Sequence, residues 1–279
     1  MRFNVLGPLE IVTDGHGTLS VTAAKSGRVL ALLLVRRHEI VAVDTLIGEL
    51  WGDRPPRSAL TTLQTYVYHA RQMFVRELGV PLIRDLLVTR PPGYLLRVAD
   101  EQVDAREFEL LVDRGRAELE GGRPAAALDS LRRALRLWRG APFCSVETGE
   151  VLSAHATRLE ELRLGAVHLR IEAEMRLGRY RDLVPDLHQL VRAHPLDEAL
   201  HARLIEALYR TGRRADALAA YQRLWRLLDA ELGVEPGPEL RALQQKVLGA
   251  AVRPPRQRTG PAAPRPEALR ARAAVPAVL

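Results

Sequence analysis

The stretch that most narrows the choice of fold is LTTLQTYVYHARQMF, from Leu60 to Phe74, with a Pro-Pro-Gly turn between two apolar runs shortly after it. At about 100° per residue, Leu60, Leu63, Val67, Ala70 and Phe74 fall within an arc of about 80°, a period that fits a helix and not a strand. Thr62, Thr65, His69, Gln72 and Arg76 fall opposite. The segment holds no acidic residue, so this face lacks the Glu/Lys pairs that solvate an idle helix. Its hydroxyl, amide, imidazole and guanidinium groups are the types that address base edges and phosphates. An ordinary amphipathic surface helix would carry the same stripe, so the flanking segments decide.

Downstream, Leu86 to Val88 and Tyr94 to Val98 are β-prone runs around the Pro-Pro-Gly turn, which carries Arg90. Upstream, Ala24 to Arg37 reads as a strongly apolar helix. Asp44 is expected to cap a second helix, DTLIGELWG, that stops at Gly52 and the breaker Pro55-Pro56. Three helices and a closing hairpin predict a winged helix-turn-helix, its third helix in the major groove and its hairpin at the neighbouring backbone or minor groove. FNVLGPLEIVTDG and TLSVT supply strands ahead of the first helix, an extra N-terminal sheet.

The second half carries a different period. Gly178 and Gly212 are 34 residues apart, the repeat length of tetratricopeptide helix pairs. GRRADALAAYQRLWRLL, from Gly212, matches GRPAAALDSLRRALRLW, from Gly122, with Ala217 on Ala127, Leu218 on Leu128 and Trp225 on Leu135. Each Gly marks where one helix ends and its antiparallel partner begins, and small Ala residues let the pair approach closely. With His194-Pro195, a helix start near Asp197 and a stop at Gly233, six or seven helices are expected between Asp104 and Leu248. The fold class is therefore mainly α with a small β part. Its expected divisions are a winged helix over 1–98, an all-α tetratricopeptide-like domain over 99–252, and a disordered Pro/Arg-rich tail over 253–279.

Charge follows these divisions. Residues 1–97 hold 12 basic against 8 acidic residues, the middle is near neutral, and the tail from Arg253 holds 6 Arg against one Glu. A basic head suits a polyanion, because phosphate contacts come from Arg and Lys. The single Cys144 permits neither an internal disulfide nor a CxxC metal site, and is expected as a small buried side chain in a cytoplasmic protein. The longest wholly apolar run, Val29 to Val35, is far short of a membrane span, and no leader is expected ahead of the first strand. Enzyme signatures are missing from the sequence: there is no GxxxxGK, GxGxxG or HExxH, and Glu160-Glu161 and Asp197-Glu198 are adjacent acids pointing different ways. No catalytic residue, cofactor, metal or nucleotide-binding module is expected, and His155, His168 and His188 read as isolated helical histidines.

From Phe3 to Leu248 the chain resembles the Streptomyces antibiotic regulatory proteins, which join an OmpR-like winged helix to an all-helical bacterial transcriptional activation domain. The resemblance rests on RFNVLGPLEI, KSGRVLALLL, VDTLIGELWGDRPPRSALTTLQTYV, PPGYLL, LRLWRGAPF, RLEELRL, ALYRTGRRADALAAY and ELGVEPGPELRAL, in this order and spacing. It implies a nucleoid-associated, sequence-specific activator of a secondary-metabolite gene cluster that binds direct repeats of double-stranded DNA and recruits RNA polymerase. Two copies would sit head to tail on the repeats. The resemblance places Thr61, Thr62, Gln64, Thr65, Tyr66, Tyr68, His69 and Arg71 at or near DNA. It also brings the ring edge of Trp51 near the DNA backbone and matches Gly52, Asp53, Arg54, Pro55 and Pro56, up to Arg57, to a polymerase-contacting loop. Where the family commonly has Arg-Leu-Arg, this chain has His69-Ala70-Arg71, which removes a fixed charge and a bidentate guanine contact.

Within that frame Gln64 and the threonines are candidates for base reading, through adenine and the thymine methyl. Arg71, on the helix flank, and Arg57 and Arg90 are candidates for phosphate or minor groove. Gly93 serves the turn and Tyr94 packs the wing, with DNA contact as the lesser role. The alternatives are a helical-repeat interaction scaffold whose N-terminal domain is structural, and a repressor acting through the same site.

Overall fold

The computed structural model describes residues 1–13, 17–21, 24–78 and 83–249. Three short strands, β1 (Arg2–Asn4), β2 (Glu10–Thr13) and β3 (Gly17–Ser20), form an antiparallel sheet in chain order, with Phe3 facing Ile11 and Ile11 facing Leu19 across the ladder. Then comes α1 (Ala24–Val35), in which every residue from Val29 to Leu34 is buried. That is why its pattern is an apolar run rather than a stripe: neighbours pack on all sides of it.

A second sheet, ordered β4-β6-β5, closes over β4 (Val41–Ala42), β5 (Leu87–Arg90) and β6 (Gly93–Leu96). Between β4 and β5 lie α2 (Val43–Trp51), α3 (Ala59–Leu78) and the single turn α4 (Ile83–Leu86). This is the winged helix-turn-helix predicted from the sequence, with the extra N-terminal sheet. Two local expectations change. Asp44 is not the cap of α2: Val43 joins the helix directly from β4, Ala42 takes the cap position without a side-chain bond, and Asp44 sits in the first turn, where its charge faces the positive helix end. Arg90 lies not in the turn but at the end of β5, paired with Gly93, because the hairpin loop contains only Pro91 and Pro92. Gly93 is required by close approach: a Cβ there would lie 1.8 Å from the Val41 carbonyl oxygen of the neighbouring strand.

After a single 3-10 turn, Asp100–Gln102, seven helices follow among the described residues. They are α5 (Asp104–Glu120), α6 (Pro124–Arg136), α7 (Glu150–Arg176), α8 (Tyr180–Ala193), α9 (Glu198–Arg210), α10 (Arg214–Leu232) and α11 (Pro238–Gly249). The 34-residue period has a backbone cause. Gly122, Gly178 and Gly212 all adopt positive φ, and each helix end closes in the same way. At the first, the Gly122 N–H donates to Leu119 O and the Arg123 N–H to Glu118 O; Gly178/Arg179 and Gly212/Arg213 repeat the pair of bonds. Asp197 caps α9 by accepting from the Leu200 N–H at 3.0 Å.

The core does not divide at 98/99. One buried cluster runs from Phe3 through Phe74, Leu96, Phe108 and Leu131 to Ala173, and a second runs from Ile171 to Val247. The long helix α7 contributes to both. Two buried carboxylates join the winged helix to the helices behind it. Glu49 on α2, 4% exposed, accepts from the backbone N–H groups of Gly149 (2.7 Å), Val151 (2.9 Å) and Leu152 (3.4 Å), and so caps the N-terminus of α7. Asp104, the first residue of α5 and 1% exposed, accepts from the N–H groups of Val5 (2.8 Å) and Leu6 (3.2 Å) and from Arg139 (2.9 Å). Burial still holds the Asp104 carboxyl above the ordinary aspartate range. Arg28 on α1, also buried, donates to the carbonyls of Glu49 and Leu50 and pairs with Glu147.

Cys144 is exposed, against the expectation of burial. It sits in the irregular segment between α6 and α7, where Phe143 and Val146 turn inward and leave the thiol outside. The Pro/Arg-rich tail, 253–279, lies outside the described residues.

Glu49→Ala removes the acceptor for three backbone N–H groups. It is expected to lower stability by about 2–4 kcal/mol in urea denaturation and to split one transition into two as the two halves separate. An unchanged midpoint and a single transition would show that the cap does not join them.

Candidate nucleic-acid interface

Burial along α3 settles which face is held and which is free. Leu63, Val67, Ala70 and Phe74 are buried, as predicted, and Phe74 meets Phe3 edge to face with centroids 6.1 Å apart. Leu60 departs from the stripe and is 50% exposed, while Ala59 takes the buried position. The inward edge is rotated toward Tyr66 and Met73, which pack against the core. There the Trp51 ring stacks on Tyr66 at 6.2 Å with planes 28° apart, and the Lys25 ammonium lies 5.9 Å from the Trp51 ring centroid. Tyr66 is therefore half-buried and held by packing, away from the free edge. Each large apolar side chain so buried contributes about 1.5–3 kcal/mol, enough to fix the helix against rotation.

The free face is led by Thr61, Gln64, Thr65 and Tyr68, at helical spacing, with His69 beside them and Thr62 half-buried. Tyr68 is 56% exposed, and its ring meets His69 edge to face at 5.7 Å. The Thr65 hydroxyl donates to the Thr61 carbonyl at 3.1 Å. The Thr62 hydroxyl reaches Ser58 Oγ at 3.4 Å, so Ser58 joins the group at the helix start. Sequence reading passed over Ser58 and Leu60: one precedes the helix, and the other was assigned to the core.

The wing is fastened to this helix by Arg71. Its Nη2 donates to the Leu87 carbonyl (3.0 Å) and to Thr89 Oγ1 (2.8 Å), and its Nε to the same carbonyl (3.2 Å). The guanidinium placed at a phosphate by sequence reading is thus engaged with β5. Its first effect is to set the distance between helix and hairpin. The partner residue, Thr89, carried no signal in the sequence, because only the tertiary fold brings β5 beside α3. Arg90, next along β5, is exposed. Gly93 and Tyr94 are buried against β4 and serve the wing's packing rather than its surface.

Ahead of α3, Gly52, Asp53, Arg54, Pro55, Pro56 and Arg57 are all exposed. Gly52 adopts positive φ and closes α2 by donating to Gly48 O at 2.7 Å. Arg57, just ahead of α3, and Arg90, at the end of β5, are both exposed, with no carboxylate partner among the described residues. A helix face of hydroxyl, amide and imidazole groups can read base edges, and exposed arginines without a carboxylate partner can hold phosphates. Among the described residues no cluster of three His, Cys, Asp or Glu could hold a metal ion, and no helix is long and apolar enough to cross a membrane.

Comparison with known proteins agrees with this architecture. The family model for the bacterial transcriptional activator domain matches residues 103–248. The chain is 41% identical over 269 residues to the regulatory protein DnrI of Streptomyces peucetius, covering 95% of this chain and 97% of that one. It is 38% identical over 251 residues to the regulatory protein AfsR of Streptomyces coelicolor, of which it spans 24%. Among solved structures, Mycobacterium tuberculosis EmbR in complex with a low affinity phosphopeptide superposes with a TM-score of 0.82 at 34% identity, over 89% of this chain and 65% of that one.

Alanine at Arg57 or at Arg90 is expected to reduce the slope of log binding constant against log salt by about one unit each, measured by anisotropy on duplex DNA. Arg71→Ala is expected to weaken binding with a slope change well below one, since its role is to position the wing. A full unit lost at Arg71 would instead make it a phosphate contact.

Proposed function

The chain belongs to the Streptomyces antibiotic regulatory protein family, whose members are transcriptional regulators and not enzymes, and from that premise we propose how its free α3 face acts. The protein is a DNA-binding transcriptional activator. In our reading α3 enters the major groove with Gln64 and Thr65 against base edges, and with Thr61, Thr62, Tyr68 and His69 around them. Arg57 and Arg90 hold phosphates on either side, while Trp51 and Tyr66 stack to fix the helix entry. The observation that carries this reading is the exposed edge of α3, which bears no acidic group and is backed by a wholly buried one.

The finer steps rest on the family and on symmetry. Direct repeats about one helical turn apart would bring two copies onto one side of the duplex, head to tail, without a twofold axis. In our reading the loop from Gly52 to Arg57, exposed ahead of α3, meets RNA polymerase. The regulatory protein DnrI is matched over nearly its whole length, which supports a regulatory role here; in our reading that role is exercised in the cytoplasm at a secondary-metabolite gene cluster.

Mobility shift of the full chain on DNA upstream of its own gene neighbourhood is expected to show binding that resists nonspecific competitor and fades steeply with salt. Operator selection with Gln64→Ala should relax choice at one base position, at a cost of about 1–3 kcal/mol for the preferred site. Uniform weakening across all sequences would assign Gln64 to the backbone, and no sequence preference in the wild type would favour a scaffold with a structural head.

A further inference from the structure

Two grooves in the helical half occupy the same place in successive repeats. Gly122 lies 56 residues before Gly178, and this shift carries Arg132, Leu135 and Arg136 of α6 onto His188, Val191 and Arg192 of α8. The first three line one wall of a groove of about 330 Å³, and the second three line one wall of a groove of about 420 Å³. The 34-residue shift from Gly178 to Gly212 likewise carries Val167 and Arg170 of α7 onto His201 and Leu204 of α9, which line the same two grooves.

The grooves share a chemistry as well as a position. Both linings include apolar side chains, the half-buried Leu135 and Val167 in the first and the buried Leu204 and Ala220 in the second. Their rims are cationic and contain no carboxylate. Some of this charge is neutralised internally: Glu174 pairs with Arg132 at 2.8 Å and Arg170 at 3.7 Å, Asp186 pairs with Arg170 at 3.0 Å, and Arg163 lies over the Trp138 ring at 4.8 Å. Arg136, Arg192 and Arg223 have neither a hydrogen-bond acceptor nor a carboxylate partner among the described residues, and all three are exposed. At the base of the second groove, His201 is 8% exposed; its Nε2 is 3.0 Å from the Pro195 carbonyl oxygen and its Nδ1 has no partner.

From this repetition we propose that the two grooves together bind an extended acidic peptide segment of a partner protein. Its carboxylates lie against Arg136, Arg192 and Arg223, and its apolar side chains enter the linings between them. A phosphate backbone would use the arginines but has nothing to place on Leu135, Leu204 and Ala220. A small molecule would fill one groove and leave its copy one repeat away without a role. The surface is on α6 to α10, and the inference does not depend on how α3 reads DNA.

The test uses the full chain and two labelled peptides, one alternating Glu and Leu and a control with Lys in place of Glu, read by fluorescence anisotropy. The Glu peptide is expected to bind saturably and at least about tenfold tighter than the Lys peptide. Arg192→Glu combined with Arg223→Glu should reverse that preference while leaving thermal unfolding and binding to upstream DNA unchanged. Arg192→Gln alone, which adds no charge, should weaken the Glu peptide by about threefold to tenfold. Equal affinity for the two peptides, indifference to these substitutions, or displacement of the peptide by duplex DNA would overturn the proposal.

Discussion

Everything the N-terminal half can do depends on α3 being gripped along one edge. Leu63, Val67, Ala70 and Phe74 are wholly buried, and Tyr66 is clamped by Trp51, so the helix cannot roll. Arg71 then ties the other structural element of the interface, the hairpin, to the same helix through Leu87 and Thr89. A reading head needs this rigidity, because base contacts discriminate only if donors and acceptors arrive already oriented. The polar edge remains free because the other edge is filled.

The head is not an independent bead on a string. Glu49 on α2 closes the N-terminus of α7 about a hundred residues later in the chain, while Asp104 at the start of α5 holds the backbone of Val5 and Leu6. Each carboxylate satisfies N–H groups that would otherwise be orphaned at depth, which makes the contact far more exacting than apolar packing alone. The hydrophobic cluster that begins at Phe3 continues without interruption into α7. The winged helix and the first helices of the repeat half, up to α7, therefore share one packed core, and α7 also contributes to the second.

How much of this could be read from the residues depended on the range of the interaction. The helical period around Leu63 to Phe74, the Pro-Pro-Gly hairpin and the 34-residue glycine spacing are local patterns, and the structure has all three. Leu60, in the first turn of α3, is exposed while Ala59 before it is buried, and Tyr66 packs inward against Trp51 from another helix. Arg71 has a long side chain whose direction is set by β5, an element with no sequence link to it. Asp44 lost the cap because β4 runs straight into α2, and Cys144 lies exposed because its neighbours Phe143 and Val146 take the inward positions. The boundary at 98/99 marked a change of secondary structure, but the core crosses it, and nothing short-range announces that Glu49 will cap a helix so distant in sequence.

The free edge of α3 can be examined without substituting any residue in it. Hydroxyl-radical footprinting of the intact protein, with and without duplex DNA from upstream of its own gene neighbourhood, reports the exposure of each side chain. Leu60, Tyr68 and His69 should react in the free protein and become protected on the duplex, while Trp225 and Leu232, exposed on α10, should react equally in both. Bound protein in which Leu60, Tyr68 and His69 remain fully reactive would show that DNA is held somewhere else and that α3 is not the reading helix.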